Sequence, residues 1–445
     1  MAQTIQLSDH FSYSKLLRFT LPSMIMMVFT SIYGVVDGIF VSNFVGKTPF
    51  AAINLIMPLL MFLGIVGFMF GSGGSALIAK TIGEGNKGKA NRIFSMLIVV
   101  GILSGIALSV MGSILVRPVA IMLGATGQLL ADCAVYGKIV LVALPFFTLQ
   151  NMFQSLFVTA ERPKMGLLVT VISGVLNILL DIVFILLFDW GLVGAAFATV
   201  LSQVAGGVIS VFYFACPNTS LLRIVKPLFD FKALWQTTLN GMSEFFSTVS
   251  MTVVSVLYNY QLMRYVGEDG VAAYGVIMYI TFIFFTLFIG FCMGSAPIVS
   301  YNYGARNDVE LKNVFLKSVH IIALISAALV VVTQFLARPL SLLFAGYDSE
   351  LLELTVRAFR IYSISFLLAG FNDYVSAFFT ALNNGVVSAV LATARTLVFE
   401  TFAVLLLPVI FGLDGIWFAV ILSELLALAL SLPMLRKYKE RYHYV

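Results

Sequence analysis

The sequence contains an internal duplication, and each of its two halves holds about six apolar segments long enough to cross a bilayer. Short patterns recur in the second half in the same order and at nearly the same spacing as in the first. The matching pairs are Phe44-Val45-Gly46 with Tyr265-Val266-Gly267, Gly74-Ser75-Ala76 with Gly294-Ser295-Ala296, Arg117-Pro118 with Arg338-Pro339, and Ser202-Gln203 with Ser423-Glu424. Because an even number of spans returns the chain to the same side, both halves run the same way through the membrane. The duplication therefore predicts two lobes related by an axis along the membrane normal, with a cleft between them.

The composition indicates residence in a membrane, since 60% of the residues are hydrophobic and only 11% are charged. A soluble domain cannot hide that much apolar surface from water. We therefore predict an all-α polytopic membrane protein with about twelve transmembrane helices. The predicted spans are 16–41, 51–78, 94–115, 135–158, 165–188, 192–215, 239–263, 271–298, 314–336, 357–381, 386–411 and 414–435. A polar stretch between the halves predicts an N-lobe over residues 1–215, a cytoplasmic linker over 216–238 and a C-lobe over 239–445.

The basic residues predict the orientation of the chain, because they gather in alternate connections between the spans. The clustered residues are Lys15, Arg18, Lys80, Lys87, Lys89, Arg92, Arg162, Lys164, Arg223, Lys226, Lys232, Arg306, Lys312, Lys317, Arg436, Lys437, Lys439 and Arg441. By the positive-inside rule both termini are predicted to be cytoplasmic, and the polar residues 1–10 do not resemble a cleavable signal. The net charge of +5 then reflects insertion topology, and no nucleic-acid partner is expected.

Charged side chains inside the predicted spans are the strongest candidates for function, since each costs on the order of 3 kcal/mol at bilayer depth. The candidates are Asp37, Asp181, Glu244, Asp373, Glu400, Glu424 and Arg395. The repeat places apolar or aromatic residues opposite the first four of these acids, so they do not belong to the scaffold that the halves share. This asymmetry favours function over the alternative that neighbouring donors merely satisfy the carboxylates. The five-residue separation of Arg395 and Glu400 does not place them on one helical face, so we expect no intrahelical pair.

The acids of the first half predict a cation site. Asn177 and Asp181 are four residues apart and therefore share a helical face, Asp37 lies deep in the first span, and Thr199 can join them from the sixth. A buried carboxyl can take up and release a proton. The same oxygens also suit a hard cation such as Na⁺, held by Asp37, Asn177 and Asp181. The sequence leaves both ions open.

Taken together, the Asp37 region, the Phe44-Val45-Gly46 run, the pair of Asn177 and Asp181, Glu244 and the six-plus-six repeat resemble the multidrug and toxic compound extrusion (MATE) family over nearly the whole chain. In its richness in Met and Phe, the chain resembles the bacterial branch of this family that includes multidrug exporters. The resemblance implies an antiporter that exports bulky, mostly cationic organic compounds in exchange for H⁺ or Na⁺ by alternating access. It also implies an N-lobe cation site at Asp37, Asn177, Asp181 and Thr199, and a C-lobe site at Glu244 and Asp373.

Further expectations concern the cleft and its partners. A polyspecific cleft needs deformable apolar walls with a few polar groups, although such residues more often face lipid or pack helices. The candidates for its lining are Met27, Asn151, Gln154, Phe153, Phe157, Phe245, Met278, Tyr279 and Arg395. The resemblance implies small organic cations and drugs as partners in a lipid bilayer, a bacterial inner membrane as the location and a monomeric chain.

The sequence disfavours two other classes of function. A flippase for lipids or lipid-linked oligosaccharides needs cationic groups to hold pyrophosphate, and only Arg395 lies deep in a span. A membrane enzyme needs His or Cys machinery, but the histidines are His10, His320 and His443 and no nucleophile or metal spacing is found. The widely spaced Cys133, Cys216 and Cys292 indicate neither a disulfide framework nor a thiolate metal site. No resident metal or cofactor is predicted.

Overall fold

The computed structural model describes residues 5–346 and 348–444, and within these ranges the regular secondary structure is helical. The first half holds α1 (Tyr13–Phe40), α2 (Lys47–Gly83), α3 (Lys87–Met122), α4 (Gly127–Val142), α5 (Leu144–Thr159), α6 (Pro163–Asp181) and α7 (Gly191–Ala215). The second half holds α8 (Phe231–Tyr265), α9 (Glu268–Gly304), α10 (Asp308–Ala345), α11 (Ser349–Ser363), α12 (Phe366–Ala381), α13 (Gly385–Thr393), α14 (Glu400–Phe411) and α15 (Leu413–Tyr442). Three π-helical turns interrupt the spans at Val41–Val45, Ile182–Leu187 and Ala394–Phe399.

The predicted spans are present as helices. Over the described residues, nine helical runs are long and apolar enough to cross a membrane, and two bent pairs raise the number to eleven. The more polar α8, at 35 residues, is also long enough to cross. The bent pairs are α4 with α5, at 58°, and α11 with α12, at 48°. Pro145 in the first turn of α5 explains the first bend, because proline cannot donate the hydrogen bond that would continue α4.

The duplication is visible in the backbone itself. Left-handed residues, which need a positive φ, occur at matching loop positions of the two halves. The pairs are Gly46 (φ 123°) with Gly267 (82°), Gly85 (82°) with Arg306 (55°), Glu161 (59°) with Asn383 (57°), and Gly191 (53°) with Gly412 (60°). Asn86 and Asn307 also cap the matching helices α3 and α10 through side-chain oxygens that accept backbone N–H bonds. The two halves are therefore built on one backbone plan.

The linker between the halves is shorter than predicted, since α8 begins at Phe231 rather than at 239. The Asp230 carboxylate caps α8 by accepting a hydrogen bond from the Ala233 N–H (3.0 Å). The preceding linker packs on the N-lobe, where the Val225 N–H donates to the Ser95 hydroxyl at 2.9 Å. The chain thus crosses between lobes over a short, anchored segment.

The lobes meet through α1 against α9 and α2 against α8. Their closest approach lies on the side of the membrane that holds both termini, where α1 and α8 begin and α2 and α9 end. Glycines permit this approach: a Cβ added to Gly241 would fall closer than 3.0 Å to the Met69 carbonyl oxygen, and one added to Gly304 would do the same to that of Lys80. Backbone contacts of this kind are typical of small residues at membrane helix interfaces.

On the opposite side the inter-helix packing of α1 and α9 is looser. The buried residues of α1 all lie between Leu16 and Ser31, and none lies in its last nine residues, 32–40. A Cβ on Gly34 of α1 or on Gly275 of α9 would meet no atom within 4 Å. The lobes therefore close the cleft on the side of the termini and separate toward the opposite side.

Candidate functional site

Asp37, Asn177 and Asp181 come together in the N-lobe, as the sequence predicts. Asp37 projects from α1, while Asn177 and Asp181 project from the last turns of α6. The Asp37 carboxyl lies beside both the Asn177 amide and the Asp181 carboxyl. Asn177 is 3% exposed and Asp181 is fully buried. Two acidic groups therefore share one enclosed space within the helical bundle.

Tyr136 on α4 completes this group, and sequence reasoning missed it. The residue is 2% exposed, its hydroxyl lies beside the Thr199 hydroxyl of α7, and both acids are close to it. Tyr33 approaches Asp37 from the same helix. A tyrosine carries no formal charge in a span, so the cost argument that selected the acids does not select it. The N-lobe site thus draws on four helices.

The polar groups of the N-lobe site are not satisfied by one another. Asp37 Oδ1, Asn177 Nδ2 and both carboxylate oxygens of Asp181 lack a hydrogen-bond partner although they are buried. No basic side chain forms an ion pair with either acid among the described residues. Buried polar atoms and paired like charges without compensation are costly. The arrangement therefore suits a proton or a small cation that binds oxygen ligands.

Two of the π-helical turns adjoin this site. Val41–Val45 begins one turn after Asp37, and Ile182–Leu187 begins directly after Asp181. A π turn shifts the hydrogen bonding of a helix by one residue and leaves carbonyl groups less regularly bonded, which is common at functional sites. Within residues 5–346 and 348–444, no three His, Cys, Asp or Glu side chains gather as a metal cluster. The ligands on offer are thus the oxygens of the two acids and of their polar neighbours.

The C-lobe contains a different arrangement, built around Arg395. Its Nε donates to Glu424 Oε1 at 2.9 Å and its Nη1 donates to Asp373 Oδ1 at 3.1 Å. The Asn372 side chain donates to the other oxygen of Glu424 at 2.7 Å. The structure therefore joins three charged candidates that the sequence could only list separately. Unlike the N-lobe acids, two of them have a permanent positive partner.

Glu400 lies at the edge of this network, beside the Tyr258 hydroxyl of α8. The sequence predicts no direct pair between Arg395 and Glu400, and no ion pair joins them over the described residues. The π-helical turn Ala394–Phe399 nevertheless brings the two close enough for electrostatic attraction, because its i→i+5 bonding changes the angle between them. A regular α-helical period could not have predicted this.

Glu244 lies at the boundary between the lobes. It projects from α8 and is close to Asp373 of its own lobe and to the Ser72 hydroxyl of α2 in the other. Next to it, the Phe245 ring lies 5.7 Å from the ring of Phe62 on α2. The same ring is 5.7 Å from Phe246. An acid and aromatic faces therefore meet where the two lobes converge.

Two of the predicted lining residues lie in the N-lobe core. Phe153 and Phe157 are each 1% exposed and pack in the N-lobe core, where both contact Phe214. Tyr279 is exposed and stacks on Phe344 of α10 at 6.4 Å, and its place in the lining stays a prediction. Aromatic residues fill helix interfaces as readily as cavities, so composition alone cannot separate the two roles. The predictions that Phe153 and Phe157 line the cleft are therefore wrong.

The other lining candidates are buried or partly buried. Met27, Asn151 and Gln154 are 7%, 4% and 4% exposed, and Met278 is packed against the C-lobe core. Asn151 Nδ2 and Gln154 Oε1 lack hydrogen-bond partners. Both lie on α5, so an unpaired amide donor and an unpaired amide acceptor are available in the N-lobe interior.

Comparison with known proteins agrees with this architecture. Among curated relatives, the multidrug export protein MepA of Staphylococcus saprophyticus is 25% identical over 430 residues, covering 94% of this chain and 93% of the relative. MepA of Staphylococcus aureus is likewise 25% identical, over 424 residues and the same shares of both chains. Among solved structures, an outward-facing MATE family transporter superposes with a TM-score of 0.93 at 23% identity, covering 100% of both chains. A transporter of the MOP superfamily from Pyrococcus furiosus gives 0.91 at 24% identity, covering 98% of both.

The family comparison addresses the two halves separately. The MatE family model matches residues 22–183 and residues 245–405, so one model describes both lobes and most of the chain. The matched regions contain Asp37, Asn177 and Asp181 in the first half and Asp373 and Arg395 in the second. The duplicated backbone and the enclosed acids of each lobe thus belong to one shared fold, and the chain belongs to the MatE family.

Proposed function

We propose that this chain is a cation-coupled antiporter that exports organic cations, including drugs, by alternating access. The observation that supports this most directly is the pair of enclosed acidic sites, one in each lobe of a two-lobed bundle whose cleft is closed on one side only. Alternating access requires such lobes to rock about a site that faces each side in turn. Relatives with multidrug export in their names support the substrate class.

The N-lobe site is proposed to carry the coupling ion, H⁺ or Na⁺. Neither acid has a basic partner within residues 5–346 and 348–444, so their charge is proposed to be compensated by an ion that can bind and leave. The test is export of a fluorescent cationic dye from proteoliposomes in which a pH gradient and a Na⁺ gradient are imposed separately. Export under one gradient alone identifies the ion, and export under neither overturns the coupled mechanism.

Glu244 is proposed to recognise cationic substrates from the C-lobe. An organic cation at the boundary between lobes would meet its carboxylate and the face of Phe245 together. A desolvated cation–π contact of this kind contributes roughly 0.5–2 kcal/mol. Asp373 extends the acidic surface, although Arg395 already occupies one of its oxygens.

Glu244→Gln should weaken binding of cationic compounds at least about tenfold while leaving neutral compounds of similar size within about twofold, since only the charge is removed. Binding to purified protein, followed by dye fluorescence, measures both classes. Glu268→Gln, at the exposed start of α9, is the matched control and should change neither. Equal losses for both classes would show a packing role for Glu244 instead.

The described helices make this a multi-pass membrane protein. We propose that it is a monomer in the bacterial cytoplasmic (inner) membrane. Both termini are proposed to lie in the cytoplasm, because basic residues cluster in the connections on the side of the termini. A reporter that is active only in the cytoplasm should be active when it is fused to either terminus. A terminus that reports from the opposite side would refute this topology.

A further inference from the structure

We propose that Arg395 is a tethered cation that competes with the transported cation for Asp373 and so makes substrate binding in the C-lobe reversible. This rests on the proposed function, in which the C-lobe recognises organic cations. The inference starts from an imbalance of charge. Glu244, Asp373, Glu400 and Glu424 gather in this lobe, and Arg395 is the basic side chain that faces them among the described residues.

Arg395 is held from its inner side. Glu424, with a side chain only 5% exposed, binds the guanidinium Nε at 2.9 Å and is itself fixed by Asn372. The Arg395 backbone carbonyl also accepts a bond from the Ser423 hydroxyl at 2.9 Å. The Phe285 ring lies 5.5 Å from the guanidinium carbon. Glu424 and Phe285 thus hold the guanidinium, and Ser423 holds the backbone of Arg395, independently of Asp373.

The contact with Asp373 is the outer and weaker one. It is a single N–H bond of 3.1 Å, and the Asp373 side chain is 27% exposed, compared with 11% for Arg395. Beyond Asp373 lies Glu244 at the boundary between lobes, with no basic side chain among its described neighbours. From the interior of the C-lobe to the boundary between the lobes, the charged side chains therefore lie in the order Glu424, Arg395, Asp373 and Glu244.

This series allows Asp373 to exchange partners. A cation that reaches Glu244 can also attract Asp373 away from Arg395, while Arg395 keeps the charge of Glu424 as compensation. When the substrate leaves, Arg395 binds Asp373 again, so the Asp373 carboxylate is not left without a partner. Without Arg395, two free carboxylates would face the substrate and would hold it too tightly to release. Transport needs binding that is strong enough to capture and weak enough to let go.

The N-lobe provides the contrast. There, Asp37 and Asp181 share a space that no basic side chain of the described part of the chain enters, and they depend on a mobile ion. The C-lobe has its compensating cation built into the chain. The two lobes thus compensate buried negative charge in different ways, the N-lobe by a mobile ion and the C-lobe by Arg395.

The test compares Arg395→Gln with Arg395→Lys in dye binding without a gradient and in proteoliposome export. Arg395→Gln should bind the monovalent dye ethidium at least about fivefold more tightly, with a lower KM and a lower maximal rate. Arg395→Lys keeps the charge but not the planar group that contacts Asp373 and Glu424 together, so its ethidium affinity should lie between those of the unmodified protein and Arg395→Gln. A neutral dye of similar size should bind all three alike. Unchanged or weaker ethidium binding in folded Arg395→Gln would overturn the proposal.

A double-mutant cycle separates exchange at Asp373 from other effects of the arginine. If Arg395→Gln alone does not fold, the comparison of Asp373→Asn with the double variant still tests the exchange, because a gain in ethidium affinity of about fivefold or more there would refute it. In an Asp373→Asn background the shared carboxylate charge is gone, so adding Arg395→Gln should give no further gain in ethidium affinity. A gain of the same size with and without the Asp373 charge would refute the exchange. If the unmodified protein binds no cationic dye at all, the proposed function itself fails, which is a distinguishable result.

Discussion

Asp37→Asn and Asp181→Asn should each insert into the membrane, remain monodisperse and lose gradient-driven export by at least about tenfold. An amide keeps the volume of the carboxyl but can neither exchange a proton nor offer a negative charge to Na⁺. Because both Asp181 oxygens and Asp37 Oδ1 lack a well-formed hydrogen bond, the substitutions should cost the fold little. Initial rates of dye export, normalised to the amount of purified protein, give the measurement.

The matched control for these variants is Asp189→Asn. Asp189 lies in the exposed connection after α6, and asparagine tolerates its left-handed φ of 54°. This variant should export at the rate of the unmodified protein. If Asp37→Asn or Asp181→Asn exports equally fast under a cation gradient, that residue has no part in coupling. If either aggregates, the carboxylate supports folding rather than transport.

Most of the fold could be predicted from the sequence because a bilayer imposes long apolar helices and because the duplication repeats their order. Both signals extend over hundreds of residues, so local errors do not disturb them. The two bends between helices were harder to predict from the sequence. Pro145 gives a chemical reason for the break between α4 and α5, but no proline lies at the break between α11 and α12. There the bend depends on packing that only the folded chain shows.

The charged residues of the site could be predicted, because burying a charge in a membrane span is costly. Uncharged residues give no such signal, because burying them costs little. Asp37 and Asp181 were selected by cost, and Asn177 by its spacing from Asp181. Tyr136 was missed, because a tyrosine in a span requires no special explanation. The ion pairs of Arg395 join residues 22 and 29 positions apart on other helices, and no helical period connects them. Phe153 was placed in the cleft by composition, which does not distinguish a core from a lining.

Gly304→Ala should weaken closure of the lobes on the side of the termini and reduce export between about 5-fold and 150-fold. The added methyl group would lie closer than 3.0 Å to the Lys80 carbonyl oxygen, and that oxygen belongs to the backbone of α2 and cannot rotate away. Forcing an extra methyl into tight packing costs about 1–3 kcal/mol. When this cost applies only to the closed arrangement, it lowers the ratio of closed to open molecules by about 5-fold to 150-fold.

Hydrogen exchange can show where the lobes separate. In Gly304→Ala, exchange should increase at the end of α2, residues 76–83, and at the end of α9, residues 297–304. Gly275→Ala provides a control in the same helix, since its methyl group would meet no atom within 4 Å. It should leave both exchange and export unchanged. If Gly304→Ala behaves like this control, the glycine contacts do not limit the approach of the lobes. Because alternating access needs both closed states to be reached, faster exchange together with slower export would identify this contact as part of the transport cycle.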